Sequence, residues 1–157
     1  MELYCADCGC LVERGIRVTP CGTSDCCCLH LPVRGSIDAI AAEIQAAFAS
    51  KDLARFGVLL ADDARWGDDD AVNQCRSRND VIATFERLLG EGVEGAVIDT
   101  TTGPGGVMCQ LRVDWPDPTD RSRGGVLYHA YLVRDGRITE IRRYDDRASA
   151  TEVLNAP

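Results

Sequence analysis

Residues 125–146 read GVLYHAYLVRDGRITEIRRYDD, and this stretch decides the fold of the chain. It consists of two alternating runs of apolar and polar residues on either side of the pair Asp135-Gly136. Asp-Gly between two such runs is a strong short-range signal for a β-hairpin with a two-residue turn. The sequence therefore predicts two antiparallel strands, at residues 125–134 and 137–145.

Two more strands are predicted upstream of this hairpin, at residues 93–102 and 107–115. The part of the chain before them shows apolar residues at helical spacing. The predicted elements of that part are helices at residues 37–50, 52–61 and from about 78, and a short strand at 64–66. Three helices followed by an antiparallel meander predict an α+β fold, with the helices packed on one face of a curved sheet.

Length and charge indicate a small acidic protein. The chain has 157 residues and a formal net charge of -8, with a pI near 4.7, which opposes binding to nucleic acid or an anionic membrane surface. No apolar run approaches the ~20 residues of a transmembrane helix, and the N-terminus shows no signal-peptide pattern. We expect a cytoplasmic protein with a cysteine-rich segment at 1–35, one domain at 36–148 and a loosely held tail at 149–157.

Cysteine is concentrated at the start of the chain. Seven of the nine cysteines lie in the first 28 residues, and a histidine follows closely. In a reducing compartment such a cluster is typical of metal ligands rather than disulfides. Cys5-Ala-Asp-Cys8 and Cys21-Gly-Thr-Ser-Asp-Cys26 predict two thiolate-presenting turns joined by a hairpin at 11–18. The candidate ligands are Cys5, Cys8, Cys10, Cys21, Cys26, Cys27, Cys28 and His30.

These eight candidate ligands leave the metal content open. They suffice for one tetrahedral zinc ion with spare thiols, or for two zinc ions that share no sulfur. A Cu(I)–thiolate cluster and a redox thiol group are the alternatives, since thiolates also select Cu(I). Residues 1–33 contain few apolar residues, so metal binding is expected to stabilise this segment. No nucleotide-binding or other organic-cofactor motif occurs, and no organic cofactor is predicted.

Several motifs follow one another between residues 37 and 148. They are DLA at 52–54, LLADDARW at 59–66, CRSRNDVI at 75–82, His129 on a predicted strand, and DGRITEIRRYDD at 135–146. Their order and spacing resemble the SnoaL-like branch of the nuclear transport factor superfamily. The resemblance implies a cone-shaped sheet that wraps a pocket against the long first helix. Members include polyketide cyclases, ketosteroid- and epoxide-acting enzymes and many proteins of unknown role, so the fold alone does not define the chemistry.

The resemblance and the strand alternation together indicate which side chains face this pocket. Leu127, His129 and Tyr131 share one face of the third strand, and in this family a histidine at this position can face the cavity. An inward carboxylate on the last strand commonly acts as a base in the family. The inward series of that strand here is Ile141, Arg143 and Asp145. An arginine thus occupies the position where the resemblance implies an acidic base, and Asp145 or Asp146 is the substitute.

More than one role is open for the polar residues of this face. His129 is a general acid or base paired with Asp114 or Asp145, a donor to a bound carbonyl, or a cavity histidine satisfied by a backbone carbonyl. Arg143 clamps an anionic ligand or pairs with a protein carboxylate. The predicted catalytic residues are His129, Tyr131 and Asp145, and the predicted ligand-binding residues are Trp66, Leu127, Ile141 and Arg143.

Two classes of function are compatible with these patterns. The first is a small-molecule pocket protein with a structural zinc module, acting as a lyase, isomerase, cyclase or hydrolase on an anionic or carbonyl-bearing organic compound. The second is a non-catalytic protein that senses or buffers metal, or docks a partner, through its cysteine segment. The resemblance also implies a homodimer formed through the outer face of the sheet. Trp66 and Trp115 are expected in the pocket wall and core, and Cys109 is expected to be an inert buried thiol.

Overall fold

A computed structural model of the chain describes residues 3–4, 10–13, 16–18, 35–67, 74–117 and 125–156. These residues form two sheets, one of three strands near the N-terminus and one of five strands. The strands of the small sheet are β1 (Leu3–Tyr4), β2 (Leu11–Glu13) and β3 (Ile16–Arg17), and they pair antiparallel. The hairpin predicted at residues 11–18 is therefore confirmed.

The first long helix, α1 (Ile37–Ser50), matches its prediction. Ser36 caps its N-terminus, because the Ser36 hydroxyl accepts the backbone N–H of Ala39 at 3.2 Å. Lys51 ends the helix in a left-handed conformation, with φ of 54°. Its buried residues include four that helical spacing predicts, and Ala39 in addition: Ala39, Ile40, Ala41, Ile44 and Ala47.

The helix predicted at residues 52–61 is too long. The helix α2 covers only Leu53–Gly57, and the strand β4 (Leu60–Trp66) follows it. Tertiary hydrogen bonds override the helical pattern here: the Leu59 carbonyl accepts the N–H of Ile138 at 2.8 Å, and the Arg78 guanidinium donates to the Leu60 carbonyl at 2.7 Å. The strand pairs in parallel with the last strand of the sheet, which is a connection that a meander pattern does not reveal.

The third helix and the four predicted strands are confirmed, and each strand end lies within one residue of its expected position. The helix α3 (Arg78–Gly90) is capped by Ser77, whose hydroxyl accepts the N–H of Asp80 at 3.1 Å. The strands are β5 (Glu94–Gly103), β6 (Gly106–Asp114), β7 (Gly125–Arg134) and β8 (Arg137–Tyr144). They run antiparallel in the order β5-β6-β7-β8, and β4 lies beyond β8.

The turn of the hairpin between β7 and β8 has the predicted geometry. Asp135 has φ of 51° and Gly136 has φ of 73°, so both central residues adopt the left-handed conformation. Two such residues in succession are what a type I′ turn requires, and its twist matches that of the flanking strands. The turn pairs Val133 with Ile138, and the register then shifts by one residue, so that Leu132 pairs with Glu140. His129 lies opposite Arg143, and Tyr131 lies opposite Ile141, because of this shift.

The prediction of a loosely held tail at 149–157 is wrong for residues 149–156, which the structure describes. A helix α4 (Arg147–Glu152) and a 3₁₀ helix (Val153–Asn155) pack on the outer face of the sheet, against Met108 and Ala130. Ala150 and Leu154 are fully buried there. The Leu154 carbonyl accepts the N–H of Gly105 at 2.7 Å. The segment has too few apolar residues for a periodic signal, and the tertiary contact itself stabilises the helix.

The molecule is thus an α+β fold in which helices pack against a curved, mainly antiparallel sheet. The inner face of the sheet and the helices α1, α2 and α3 share one apolar core, which includes Ile44, Phe56 and Tyr131. Among the described residues, no helix has both the length and the apolar character needed to cross a membrane.

Candidate functional site

A cavity of about 430 Å³ lies between the inner face of the sheet and the helices. Residues from α1, α2, α3 and the strands β4 to β8 line it. Small-molecule sites usually measure about 300–1,000 Å³ and are lined mainly by apolar and aromatic side chains with a few polar groups. The lining follows that description, with polar side chains from Lys51, Asp52, His129 and Arg143. This is the candidate site.

The wall of the cavity contains an interlocking group of aromatic rings. Phe85 is at its centre: its ring stacks on Trp66 with centroids 4.8 Å apart and meets Phe56 edge-on at 5.1 Å. Phe48 makes edge contacts with both Phe56 and Phe85 at 6.1 Å. Such contacts constrain the orientation of each ring. The expectation that Trp66 and Trp115 belong to the pocket wall is confirmed, since both line the cavity.

Among the described polar residues of this wall, His129 is the one that is buried. It is 6% exposed, and the edge of the Trp66 indole packs against its imidazole with centroids 5.6 Å apart. Burial lowers the pKa of His129 to about 4, and the positive charge of Arg143 adds to the shift. The imidazole is therefore neutral at neutral pH. A neutral imidazole offers one donor and one acceptor nitrogen.

The partner of His129 is a tyrosine and not an aspartate. The Tyr131 hydroxyl lies 3.1 Å from Nδ1 of His129. The pairing with Asp114 or Asp145 is wrong, because Asp114 is exposed next to inward-facing Val113 and Asp145 pairs with Arg143. Tyr131 and His129 are two residues apart on one strand and therefore share a face.

Tyr131 lies behind the cavity wall and does not line the cavity. Its side chain is fully buried in the inner core, packed edge-on against Phe56. Burial, with a smaller contribution from Cys109, raises the pKa of Tyr131 well above its usual value, so the phenol stays protonated. Burial also raises the pKa of Cys109 to about 12, which keeps this thiol protonated as expected of an inert buried cysteine.

Arg143 lies at the mouth of the site and pairs with Asp145, which lies outside it. Arg143 lines the cavity, but its side chain is 59% exposed and its Nη2 lies 3.1 Å from Oδ1 of Asp145. The Asp145 side chain is 85% exposed and is not among the residues that line the cavity. The prediction of an inward-facing Asp145 is wrong, because β8 ends at Tyr144 and the alternation ends with it.

The remaining predicted ligand-binding residues divide between wall and core. Leu127 lines the cavity, whereas Ile141 is fully buried in the inner core and does not. Ile141 is the register partner of Tyr131, one layer closer to the β7–β8 turn than the pair His129 and Arg143. Core packing fills that layer, so the cavity ends at His129.

Two polar residues of the site, Lys51 and Asp52, were missed by sequence reasoning. They connect α1 to α2. Nζ of Lys51 lies 3.4 Å from Oε1 of Glu94. Asp52 caps α2, because its carboxylate accepts the N–H of Arg55 at 2.9 Å. The capping aspartate is a visible sequence signal, but its position beside the cavity depends on the packing of α2. Arg55 contributes to that packing through a two-bond pair with Glu43 on α1, at 2.6 and 2.9 Å.

Most of the predicted metal segment lies outside the described residues, namely Cys5, Cys8, Cys21, Cys26, Cys27, Cys28 and His30. Cys10 is described and is buried. Within the part of the chain that the structure describes, no group of three or more potential metal ligands occurs. Cys75 belongs to the inner core of the domain, where its sulfur lies 3.2 Å from the Thr84 hydroxyl.

The sequence of the domain matches a known family. The model of the family described as the SnoaL-like domain matches residues 41–141, which is well over half of the chain. The chain belongs to the SnoaL-like family. The match runs from α1 to β8 and includes most of the cavity wall. No curated protein is significantly similar to this SnoaL-like protein.

Solved structures share this SnoaL-like fold at low sequence identity. Bal32a, from a soil-derived mobile gene cassette, matches with a TM-score of 0.58 and 19% identity, over 76% of this chain and 98% of that one. A candidate polyketide cyclase from Sinorhizobium meliloti matches with a TM-score of 0.55 and 15% identity, over 68% and 94% of the two chains. A candidate ketosteroid isomerase from Kribbella flavida matches with a TM-score of 0.55 and 16% identity, over 69% of this chain and 76% of that one. These identities establish the fold and not the activity.

Proposed function

We propose that this SnoaL-like protein binds and converts a small, largely apolar organic compound that carries one anionic or carbonyl oxygen. The observation that carries the proposal is the cavity itself, whose aromatic and aliphatic wall ends in neutral His129 and cationic Arg143. Apolar walls favour ligands with little polar surface, because each buried polar group without a partner costs free energy. The polar end then determines how the ligand is oriented.

The chemistry that suits this polar end is stabilisation of negative charge on oxygen. A neutral donor and a guanidinium at the end of an apolar cavity favour a developing enolate or phenolate, which is how oxyanion sites lower barriers. Isomerisation and cyclisation at carbonyl compounds pass through such charge, and lyase or hydrolase steps on related compounds are compatible with it. The names of the Sinorhizobium and Kribbella proteins support this reaction class.

A titration with two matched probes tests the proposal. The chain contains two tryptophans, and both line the cavity, so quenching of their fluorescence reports on this site. The probes are 8-anilinonaphthalene-1-sulfonate and the uncharged N-phenyl-1-naphthylamine, which share one ring system. We expect both to quench saturably, and the sulfonate to bind about two- to fivefold more tightly, because a half-exposed ion pair contributes only ~0.5–1 kcal/mol. If neither probe quenched the fluorescence saturably, the proposal would be contradicted.

For the cysteine segment, we propose a structural zinc module. Its support is the number and spacing of soft ligands in the first 30 residues. The second candidate function, in which this segment senses or buffers metal or docks a partner without catalysis, has the same support. Ligand binding at the cavity favours the first function, whereas metal exchange without ligand binding favours the second.

A homodimer and a cytoplasmic location remain proposals as well. The helix α4 covers the part of the outer sheet face around Met108 and Ala130, so a second copy would use the remainder of that face, where Val126 is 47% exposed. Light scattering at micromolar concentration tests the dimer, with a monomeric mass as the contradicting result.

A further inference from the structure

We infer that Tyr131 is a positioning residue that holds His129 in the tautomer with hydrogen on Nε2, so that His129 presents a hydrogen-bond donor and not a base to the cavity. The identity of the acceptor, a carbonyl or enolate oxygen of a ligand, rests on the proposed function. The tautomer itself depends only on residues of this chain.

The first support is the direction of the imidazole ring. Nδ1 of His129 lies 3.1 Å from the hydroxyl of Tyr131, and Tyr131 is fully buried behind the cavity wall. The two nitrogens of an imidazole lie on different sides of the ring. Because Nδ1 is directed to the buried phenol, Nε2 lies on the side away from it. His129 lines the cavity, so this second nitrogen is the one available to a ligand.

The second support is a count of donors and acceptors. If the imidazole donated from Nδ1, the Tyr131 oxygen would accept and its own hydrogen would need another acceptor. In the part of the chain that the structure describes, the Tyr131 hydroxyl has no second hydrogen-bond partner. A buried donor without a partner costs about 1–3 kcal/mol. If Tyr131 donates to Nδ1 instead, no donor of this pair is orphaned in the core, and the remaining hydrogen is on Nε2.

The third support is the state of the phenol. Burial raises the pKa of Tyr131 well above its usual value, so its proton is available for donation throughout the physiological range. No ionised tyrosine competes as an acceptor for a hydrogen on Nδ1. The aromatic packing of Tyr131 against Phe56, with centroids 6.2 Å apart, keeps the phenol in place independently of His129.

The consequence concerns which step the site supports. A donor at Nε2 stabilises negative charge on a ligand oxygen, and Arg143, the register partner of His129 on β8, adds a positive charge that lines the same cavity. His129 in this tautomer does not accept a proton from the ligand through Nε2. The residue therefore stabilises charge on oxygen, and Tyr131 acts through His129 without contacting the ligand.

Nitrogen-15 spectroscopy of the imidazole tests the inference without any ligand. The chain has two histidines, so His30→Gln leaves His129 as the source of every imidazole signal. Long-range proton–nitrogen correlation at pH 7 distinguishes the two tautomers. We expect a single pattern with hydrogen on Nε2 in this variant. A pattern with hydrogen on Nδ1, or an even mixture, would overturn the inference.

Variants on the two faces of β7 separate positioning from general structure. Adding Tyr131→Phe to the His30→Gln variant removes the hydroxyl and keeps the ring. We expect the spectrum of His129 to change from a single tautomer to a mixture of both. Tyr128→Phe is the matched control, because Tyr128 lies on the other face of the same strand and should leave the pattern unchanged. An unchanged pattern in folded Tyr131→Phe would contradict the role of Tyr131. If that variant does not fold, the His30→Gln spectrum alone decides. Failure of both naphthalene probes would remove the proposed function and leave this result intact.

Discussion

Arg143 lies directly opposite His129 in the register of β8 and β7, and both residues line the cavity. The pair combines a permanent positive charge at the mouth with a buried neutral imidazole further in. Burial is the main cause of the low pKa of His129, and the guanidinium contributes to it because its charge disfavours the imidazolium. An anion that binds between them would compete with Asp145 for the guanidinium and accept a hydrogen bond from the imidazole.

The first prediction concerns the pH dependence of stability. The pKa of His129 is about 4 in the folded protein and about 6.5 when unfolded, so between these values the unfolded state binds more protons. The free energy of unfolding therefore falls as the pH decreases from about 6.5 to 4, by about 3 kcal/mol from this group. In His129→Gln this loss disappears. Urea unfolding of both proteins at pH 7.5, 6 and 5 measures it, and parallel curves for the two proteins would contradict the prediction.

The second prediction concerns the aromatic wall. Phe85→Ala removes the ring that contacts Phe48, Phe56 and Trp66, and should lower the free energy of unfolding by about 3 kcal/mol. Phe85→Leu, which retains most of the volume, should cost less. Urea unfolding measures both variants. Equal effects of the two variants would show that the ring is not packed as described.

The third prediction concerns the C-terminal helices. Leu154 is fully buried against the outer face of the sheet, so Leu154→Ala should lower the free energy of unfolding by about 2–5 kcal/mol. Glu152→Ala, at an exposed position of α4, is the control and should change it by less than about 0.5 kcal/mol. A loosely held tail would make the two variants alike in thermal or urea unfolding.

The fourth prediction concerns metal. Protein purified without added metal should contain one or two zinc ions, and Cys5→Ser and Cys21→Ser should each reduce that content. Cys75→Ser and Cys109→Ser should retain it, because both thiols are buried in the domain core. Elemental analysis gives the content directly. Copper in place of zinc, or metal-free protein with disulfides in its N-terminal segment, would contradict the zinc proposal.

Strand alternation predicted much of the sheet and part of the site. The Asp135-Gly136 turn and the alternating runs around it are local signals, and they predict the hairpin. The pairing of His129 with Arg143 also needs the one-residue register shift beside Val133, which these signals do not predict. The same period of two places Tyr131 on the face of His129. How deeply a side chain is buried is not a local property, however. Alternation assigns Ile141, Arg143 and Asp145 to the same face. In the structure Ile141 lies in the core, Arg143 at the mouth of the cavity and Asp145 in solvent.

The features that sequence reasoning missed depend on distant contacts. The strand β4 pairs in parallel with β8, and the bond from Ile138 N–H to the Leu59 carbonyl joins residues far apart in the chain. The helix α4 is short and is held by Arg147, which donates to Asp99 at 3.1 Å and to Gln110 at 2.7 Å. Neither arrangement has a periodic signature, because tertiary packing and not local propensity stabilises it.

Binding of the anionic naphthalene probe to two adjacent arginine variants tests the ligand-binding account of the cavity. Arg143 and Arg142 are neighbours on β8, but Arg143 lines the cavity whereas Arg142 pairs with Glu140 at 2.7 Å and does not line it. Arg143→Gln should weaken binding of 8-anilinonaphthalene-1-sulfonate by about two- to fivefold and leave N-phenyl-1-naphthylamine unaffected. Arg142→Gln should change neither affinity. Equal losses in the two variants, or an unchanged sulfonate affinity in Arg143→Gln, would contradict an anion site at the mouth of this cavity.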